Sequence, residues 1–166
     1  PVGVTTHRYD LLDDPIPAAI ATDLFNSADL VVTISEFNRQ LMVEKYGLSA
    51  EKIKVVRCGV DLTQFVRDVK FAKFKNKKMK LVNIGRLVPV KGQDILIKAL
   101  SKAKYLGVEF DLTIVGAGPL LETLSDLSRS LNLDDCIHFI GAQRQEVVIK
   151  LLKESDSFVL SSRSEG

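Results

Sequence analysis

Two basic residues lie close together after one of the apolar runs of the sequence, in residues 85–92 (GRLVPVKG). The run before them predicts a buried strand and the pattern after them predicts a helix. The segment is therefore expected at the carboxyl end of a strand, where open α/β sheets bind ligands. Gly85 would let a ligand approach the backbone, and Arg86 and Lys91 beside a helix start suit a pyrophosphate. Two ordinary surface cations beside a turn are the alternative interpretation.

Three further predicted strands end at residues of interest. Val115 is followed by GAGP, but Leu121 stands where a dinucleotide-binding fingerprint requires its third glycine, so a tight turn that allows close packing is favoured over direct phosphate binding. Gly141 follows another strand and could form the floor of a nucleobase pocket or a simple turn. Glu165 and Gly166 follow the last strand, where the carboxylate could bond sugar hydroxyls or could simply be solvated.

The histidines and cysteines give weaker indications of function than these strand ends. His7 follows the first predicted strand in the position of a functional group, although a lone histidine is more often structural or exposed. His138 lies inside an apolar run and is predicted to pack in the core. Cys58 and Cys136 are far apart in the sequence and form neither a metal-binding nor a redox motif, which suits a reducing, cytoplasmic location.

Seven short runs rich in valine, isoleucine and leucine predict strands that are buried on both faces. They cover residues 2–5, 30–34, 54–57, 80–84, 111–115, 136–140 and 157–160. Apolar stripes at helical spacing lie between several of them, with Ser35 as the predicted N-cap of the first. The stripes are Phe37, Leu41 and Met42; Ile95, Leu96, Ala99, Leu100 and Ala103; Leu120, Leu124, Leu127 and Leu131; and Val147, Val148, Leu151 and Leu152. This alternation favours an α/β fold with parallel sheets and helices on both faces.

A lysine-rich stretch divides the pattern into two parts. Residues 70–80 (KFAKFKNKKMK) contain six lysines and no acidic residue, in a chain of formal net charge +2. A solvated interdomain linker is the preferred interpretation, and a patch for anionic lipid with Phe71 and Phe74 as apolar contacts is the alternative. Nucleic acid is not expected, because no recognition motif accompanies the run. The predicted units are residues 1–68 and 69–166.

Composition is that of a globular domain: hydrophobic residues make up 46% and charged residues 27% of the 166 residues. No apolar run reaches the roughly 18 residues expected of a membrane span. The sequence begins with Pro1 and ends at Gly166, and both ends are expected to be cut from something longer.

In their order and spacing, these motifs resemble glycosyltransferase family 4. The second half contributes GRLVPVKG, VGAGPLLETL, IHFIGAQ and SSRSEG, and the first half contributes TTH, ISEFNRQLMVEKYG and KIKVVRCGVD. The resemblance covers essentially the whole chain. It implies a GT-B fold, two Rossmann-like domains that face each other across a cleft. Residues 1–68 would be the later part of the N-terminal, acceptor-side domain with its hinge, and residues 69–166 the first half of the C-terminal, donor-binding domain.

The resemblance also implies roles for individual residues. Arg86 and Lys91 match the pyrophosphate-binding pair of the family, and Gly141 lies near the nucleobase. Glu165 looks like the first glutamate of an E-x7-E motif against the donor sugar, and His7 resembles the acceptor-side histidine. The predicted donor-binding residues are therefore Gly85, Arg86, Lys91, Gly141, Glu165 and Gly166, and the predicted catalytic residues are His7 and Glu165. The family needs no metal or other cofactor and retains the anomeric configuration.

Three departures from the family pattern are visible. Cys58 replaces the usual asparagine before Gly-Val-Asp and Ser161 replaces a common proline, although neither position contacts the donor in the family. The second glutamate of the motif would lie beyond Gly166, so this chain alone is predicted to be inactive.

The predicted function is hexosyltransferase-type transfer, with retention, from a nucleotide diphosphate-sugar to a glycan or lipid-linked acceptor, as in polysaccharide biosynthesis. A peripheral membrane contact would accompany it if the lysine run binds lipid. The alternatives are a non-catalytic nucleotide-binding or assembly module and a GT-B nucleotide-sugar epimerase.

Overall fold

The computed structural model describes residues 2–7, 11, 17–65 and 78–165. Contacts within it divide the chain into two compact units, Pro1–Val60 together with Glu165–Gly166, and Asp61–Ser164. The predicted boundary between residues 68 and 69 and most of the lysine run lie outside the described residues, so the boundary stays a prediction. No helix among the described residues is long and apolar enough to cross a membrane.

The first unit is built on a parallel sheet of three strands in the order β1-β2-β3. The strands are β1 (Gly3–Thr6), β2 (Leu30–Thr33) and β3 (Ile53–Val55), and the helices are α1 (Ala18–Ser27) and α2 (Glu36–Tyr46). Both helices pack on one face of the sheet, where the rings of Phe25 and Tyr46 meet edge to face with centroids 5.4 Å apart. The buried apolar residues are Leu11, Ala21, Phe25, Ala28, Val31, Met42, Tyr46, Leu48 and Ile53.

Among the described residues, the helices cover one face of this sheet. Strand alternation places Thr5 and Lys54 on the other face, where both are exposed, so burial on both faces stays a prediction. The predicted N-cap of α2 is confirmed: the Ser35 hydroxyl accepts a hydrogen bond from the amide of Asn38 over 3.2 Å. Phe37, however, is 53% exposed and does not belong to the buried stripe of that helix.

The second unit contains a parallel sheet of four strands in the order β6-β5-β4-β7. The strands are β4 (Lys78–Ile84), β5 (Glu109–Val115), β6 (Ile137–Phe139) and β7 (Ser157–Phe158), and the helices are α3 (Gln93–Tyr105), α4 (Leu121–Ser130) and α5 (Gln145–Glu154). Short 3-10 turns cover Leu62–Phe65 and Pro89–Lys91. All seven predicted strands of the chain are present, with ends that differ from the predicted ones by no more than two residues.

The core of the second unit lies between the sheet and helices α3 and α4. Its buried members are Leu81, Leu87, Leu96, Ile97, Leu100, Phe110, Leu112, Ile114, Leu124, Leu133, Cys136 and Ile137. Leu120, Leu127 and Leu131 pack against this core, as their spacing predicts. Ile95 is 47% exposed, so it does not belong to the buried face of α3, contrary to the prediction.

The opposite face of this sheet lies against α5 and carries polar side chains on β5 and β6. Here the core assignment of His138 is wrong: its side chain is 48% exposed, and its Nε2 lies 2.9 Å from Oδ1 of Asp111. The cause is strand alternation, since His138 pairs with Thr113 of β5 and both point away from the core. Lys78 reaches the same carboxylate over 3.5 Å.

Candidate functional site

The loops that follow β4, β5 and β6 are joined edge to edge by backbone hydrogen bonds. The amide of Gly85 donates to the carbonyl of Val115 over 2.9 Å, and the amide of Gly116 donates to the carbonyl of Gly141 over 2.9 Å. Gly85 and Gly141, both predicted to bind the donor, therefore lie at the strand ends on either side of β5. This carboxyl edge is where an open parallel sheet binds its ligand.

The glycines of the GAGP segment allow two of these loops to touch. A Cβ atom added to Gly116, whose φ is +146°, would lie 1.9 Å from the carbonyl oxygen of Gly85. One added to Gly118 would lie 2.4 Å from the carbonyl oxygen of Leu87. Both distances are far below any real contact, so only glycine fits. The segment serves close backbone packing, which supports the interpretation favoured from the sequence.

Arg86 and Lys91 lie around the end of β4. The Arg86 side chain is exposed. The backbone carbonyl of Arg86 accepts a hydrogen bond from Nε2 of the buried Gln93 over 3.1 Å. The stem of Lys91 passes over Gly85, because its Cγ and Cδ atoms lie 3.8 Å from where a Cβ of Gly85 would be. The structure thus brings Arg86 and Lys91 to the same strand end and places Gly85 beneath Lys91.

The chain after β7 lies directly against the segment that carries Lys91. The hydroxyl of Ser161 donates to the carbonyl of Lys91 over 3.0 Å, and the amide of Arg163 donates to the carbonyl of Val90 over 2.8 Å. Gly92 has a φ of +62°, and a Cβ atom there would lie 2.2 Å from the carbonyl oxygen of Ser161. The close approach of residues 161–163 therefore requires glycine at position 92.

Arg163 adds a second set of contacts through its guanidinium. Its Nη2 lies 2.9 Å and 2.8 Å from the two carboxylate oxygens of Asp94, and its Nη1 donates to the carbonyl of Pro89. Desolvation acts to raise the pKa of Asp94, but the hydrogen bond and charge of Arg163, with the charge of Lys98, leave that pKa below its ordinary value. Sequence reasoning missed both residues, since no motif links positions that lie 69 residues apart.

Glu165, His7 and Gly166 are the remaining predicted residues. Glu165 is exposed and follows Arg163 by two residues, and His7 is exposed directly after β1 in the first unit. Gly166 lies outside the described residues. The assignments of His7, Glu165 and Gly166 stay predictions.

No group of three or more histidine, cysteine, aspartate or glutamate side chains in the described part of the chain could hold a metal ion. The expectation that no metal is needed stays a prediction as well.

Family models match both halves of the chain. The model for glycosyl transferases group 1 matches residues 66–166, the segment that carries the three joined loops. The chain belongs to this family. The model for Glycosyltransferase Family 4 matches residues 1–64, so the resemblance inferred from the motifs is confirmed in both halves of this glycosyltransferase chain.

Curated relatives agree with the family assignment. The amylovoran biosynthesis glycosyltransferase AmsK of Erwinia amylovora is 30% identical over 139 residues, which is 84% of this chain and 33% of AmsK. A GDP-mannose-dependent alpha-(1-6)-phosphatidylinositol monomannoside mannosyltransferase of Mycolicibacterium smegmatis is 29% identical over 173 aligned positions, which is 99% of this chain and 45% of that enzyme. The chain thus spans between a third and a half of the length of these relatives.

Solved glycosyltransferase structures share the fold. The Anabaena protein HepE, solved in complex with UDP and glucose, superposes with a TM-score of 0.78 at 22% identity, over 99% of this chain and 47% of HepE. This likeness, together with the parallel sheets of both units, confirms the predicted GT-B-like α/β fold class.

Proposed function

We propose that the protein containing this chain transfers a hexose, with retention, from a nucleotide diphosphate-sugar to a glycan or lipid-linked acceptor. The observation that carries the proposal is the convergence of Arg86 and Lys91 at the end of β4, in a chain that belongs to a glycosyltransferase family. HepE was solved with UDP and glucose, and the mycobacterial relative is named for GDP-mannose, so the proposal leaves the base and the sugar open.

The two cations fit the charge that develops during transfer. As the bond between the sugar and the pyrophosphate breaks, negative charge grows on the departing nucleotide diphosphate. Arg86 offers a planar fork of donors and Lys91 offers a compact charge on a stem that passes over Gly85. Contacts of the loop hold the backbone at both positions, and cations preorganised in this way would stabilise a leaving group without a metal ion. Glu165 would contact the transferred sugar and His7 would act from the acceptor side.

The proposed setting is cytoplasmic. A peripheral membrane contact through the lysine run at residues 70–80 is proposed for the case in which the acceptor is lipid-linked.

The decisive experiment measures donor use by Arg86→Ala and Lys91→Ala variants of the full-length protein. Each variant loses a charge-assisted contact of about 1.5–3 kcal/mol, so kcat/KM for the donor should fall roughly tenfold to a hundredfold or more. Arg129→Ala and Lys102→Ala are matched controls, because both side chains are exposed on helices of the same unit.

Unchanged kinetics in a folded Arg86→Ala protein would reject the assignment. Binding of nucleotide diphosphate without any sugar product would indicate a binding module, and an epimerised nucleotide-sugar would indicate an epimerase.

A further inference from the structure

Arg163 makes more contacts with the segment that carries Lys91 than its exposed position suggests. Its amide donates to the carbonyl of Val90, its Nη1 donates to the carbonyl of Pro89, and its Nη2 donates to both carboxylate oxygens of Asp94. A planar guanidinium can serve several acceptors in one geometry, whereas an ammonium cannot.

These contacts flank Lys91 on both sides. Pro89 and Val90 precede it and Asp94 follows it by three residues, while its own carbonyl accepts the hydrogen bond from Ser161. The backbone of Lys91 is therefore fixed by residues from the chain after β7. In the other direction along the chain, Arg163 stands two residues before Glu165.

The charge of Arg163 is already balanced. Asp94 lies in the first turn of α3, where a carboxylate is favoured by the helix dipole, and it contacts Arg163 through both oxygens. A guanidinium that is paired in this way orients its neighbours and is poorly suited to bind a phosphate itself.

We propose that Arg163 and Asp94 form a positioning pair for the donor site. The pair holds Lys91 at the strand end and fixes the start of the segment that leads to Glu165. The inference rests on the proposed function, because it assigns Lys91 and Glu165 to the donor.

The test compares Arg163→Gln, Arg163→Lys and Asp94→Asn in the full-length protein by steady-state kinetics and by calorimetric titration with UDP and GDP. A displaced Lys91 should raise the donor KM and weaken nucleotide binding, and a displaced Glu165 should lower kcat. We expect about a tenfold or larger loss in kcat/KM for each variant, since misplacement of reacting groups by about 1 Å can cost a hundredfold.

Two of the variants distinguish positioning from direct binding. If Arg163 bound the phosphate as a charge, Arg163→Lys would keep most of the activity, and Asp94→Asn would release a cation and strengthen nucleotide binding. Positioning predicts that Arg163→Lys behaves like Arg163→Gln and that Asp94→Asn weakens nucleotide binding. Arg129→Gln is the matched control, because Arg129 forms an exposed ion pair with Asp126 in the same unit.

The outcomes separate this inference from the proposed function. If the unaltered protein binds no nucleotide diphosphate of any base and forms no sugar product, the proposed function fails. If it is active and the three variants keep KM, kcat and nucleotide affinity within about twofold of it, the positioning role is wrong. A lower melting temperature with unchanged kcat and KM per folded molecule would also overturn it, because a purely structural pair has that signature.

Discussion

Substitution of Gly92 by alanine should disturb the candidate site more than its single added methyl group suggests. Gly92 ends the 3-10 turn that contains Lys91 and precedes α3. Its φ of +62° is in the left-handed region, and an added Cβ would lie 2.2 Å from the Ser161 carbonyl oxygen. The substitution therefore combines an unfavourable backbone conformation with a backbone clash.

Other glycines of the second unit separate these two effects. Gly107 has a φ of +84° with nothing within 4 Å of an added Cβ, so Gly107→Ala reports the conformational cost alone. That cost is about 1–2 kcal/mol, partly offset by the reduced entropy of the unfolded chain, which leaves about 1 kcal/mol. Overpacking against a fixed neighbour adds about 1–3 kcal/mol. Gly92→Ala should then lower the free energy of unfolding by about 2–4 kcal/mol.

Urea denaturation of the full-length variants, followed by circular dichroism, measures the difference. The midpoint of Gly92→Ala should lie below that of Gly107→Ala. Gly118→Ala should also be destabilised, through its clash with the carbonyl oxygen of Leu87. A Gly92→Ala midpoint equal to that of Gly107→Ala would show that residues 161–163 move away at no cost, and would refute the close contact on which the site geometry depends.

Two further predictions follow from single contacts. Ser35→Ala removes the cap of α2 and should lower the free energy of unfolding, measured by urea denaturation, by about 1 kcal/mol. Ser49→Ala is the control and should have little effect, because the Ser49 side chain makes no cap hydrogen bond. Equal losses of stability in the two variants would contradict this prediction. Because the pKa of Asp94 is lowered in the folded state, its contribution to stability is fully present above the ordinary value of 3.8 and is lost as pH falls through the lowered value. Asp94→Asn should therefore weaken the acid dependence of the free energy of unfolding, and an unchanged acid limb would contradict the assignment.

The strands could be predicted from the sequence because each is a short apolar run between polar segments. Helix α1 could not, because its usual signals are missing. Its N-cap position is Pro17, with no side-chain cap, and neither an acidic residue in the first turn nor a basic residue in the last marks its ends. Its identity as a helix comes from packing, chiefly of the buried Ala21 and Phe25 against the sheet and α2.

The candidate site could be predicted only in part, because some of its residues are close in the fold but distant in the sequence. Arg86 and Lys91 belong to one short segment, so their spacing already indicates a common strand end. Arg163 and Asp94 meet only because β7 lies beside β4 in the sheet, and no local pattern contains that information. The prediction for His138 failed for a different reason. Its neighbours in the sequence are apolar, but its own position on the strand faces away from the core, beside Thr113.

The glycines of the second unit show how motifs that are separate in sequence act as one structure. Gly116 and Gly118 let the loop after β5 lie against Gly85 and Leu87 of the loop after β4, and Gly92 lets the chain after β7 lie against that β4 loop as well. Each contact is between backbones, where a side chain would force the segments apart. In the proposed function, these glycines would act on donor binding by fixing the loop that carries Arg86 and Lys91, since preorganised cations stabilise a leaving pyrophosphate. The glycines of the GAGP segment are therefore explained by the backbone contacts that they allow, without a phosphate bound to them.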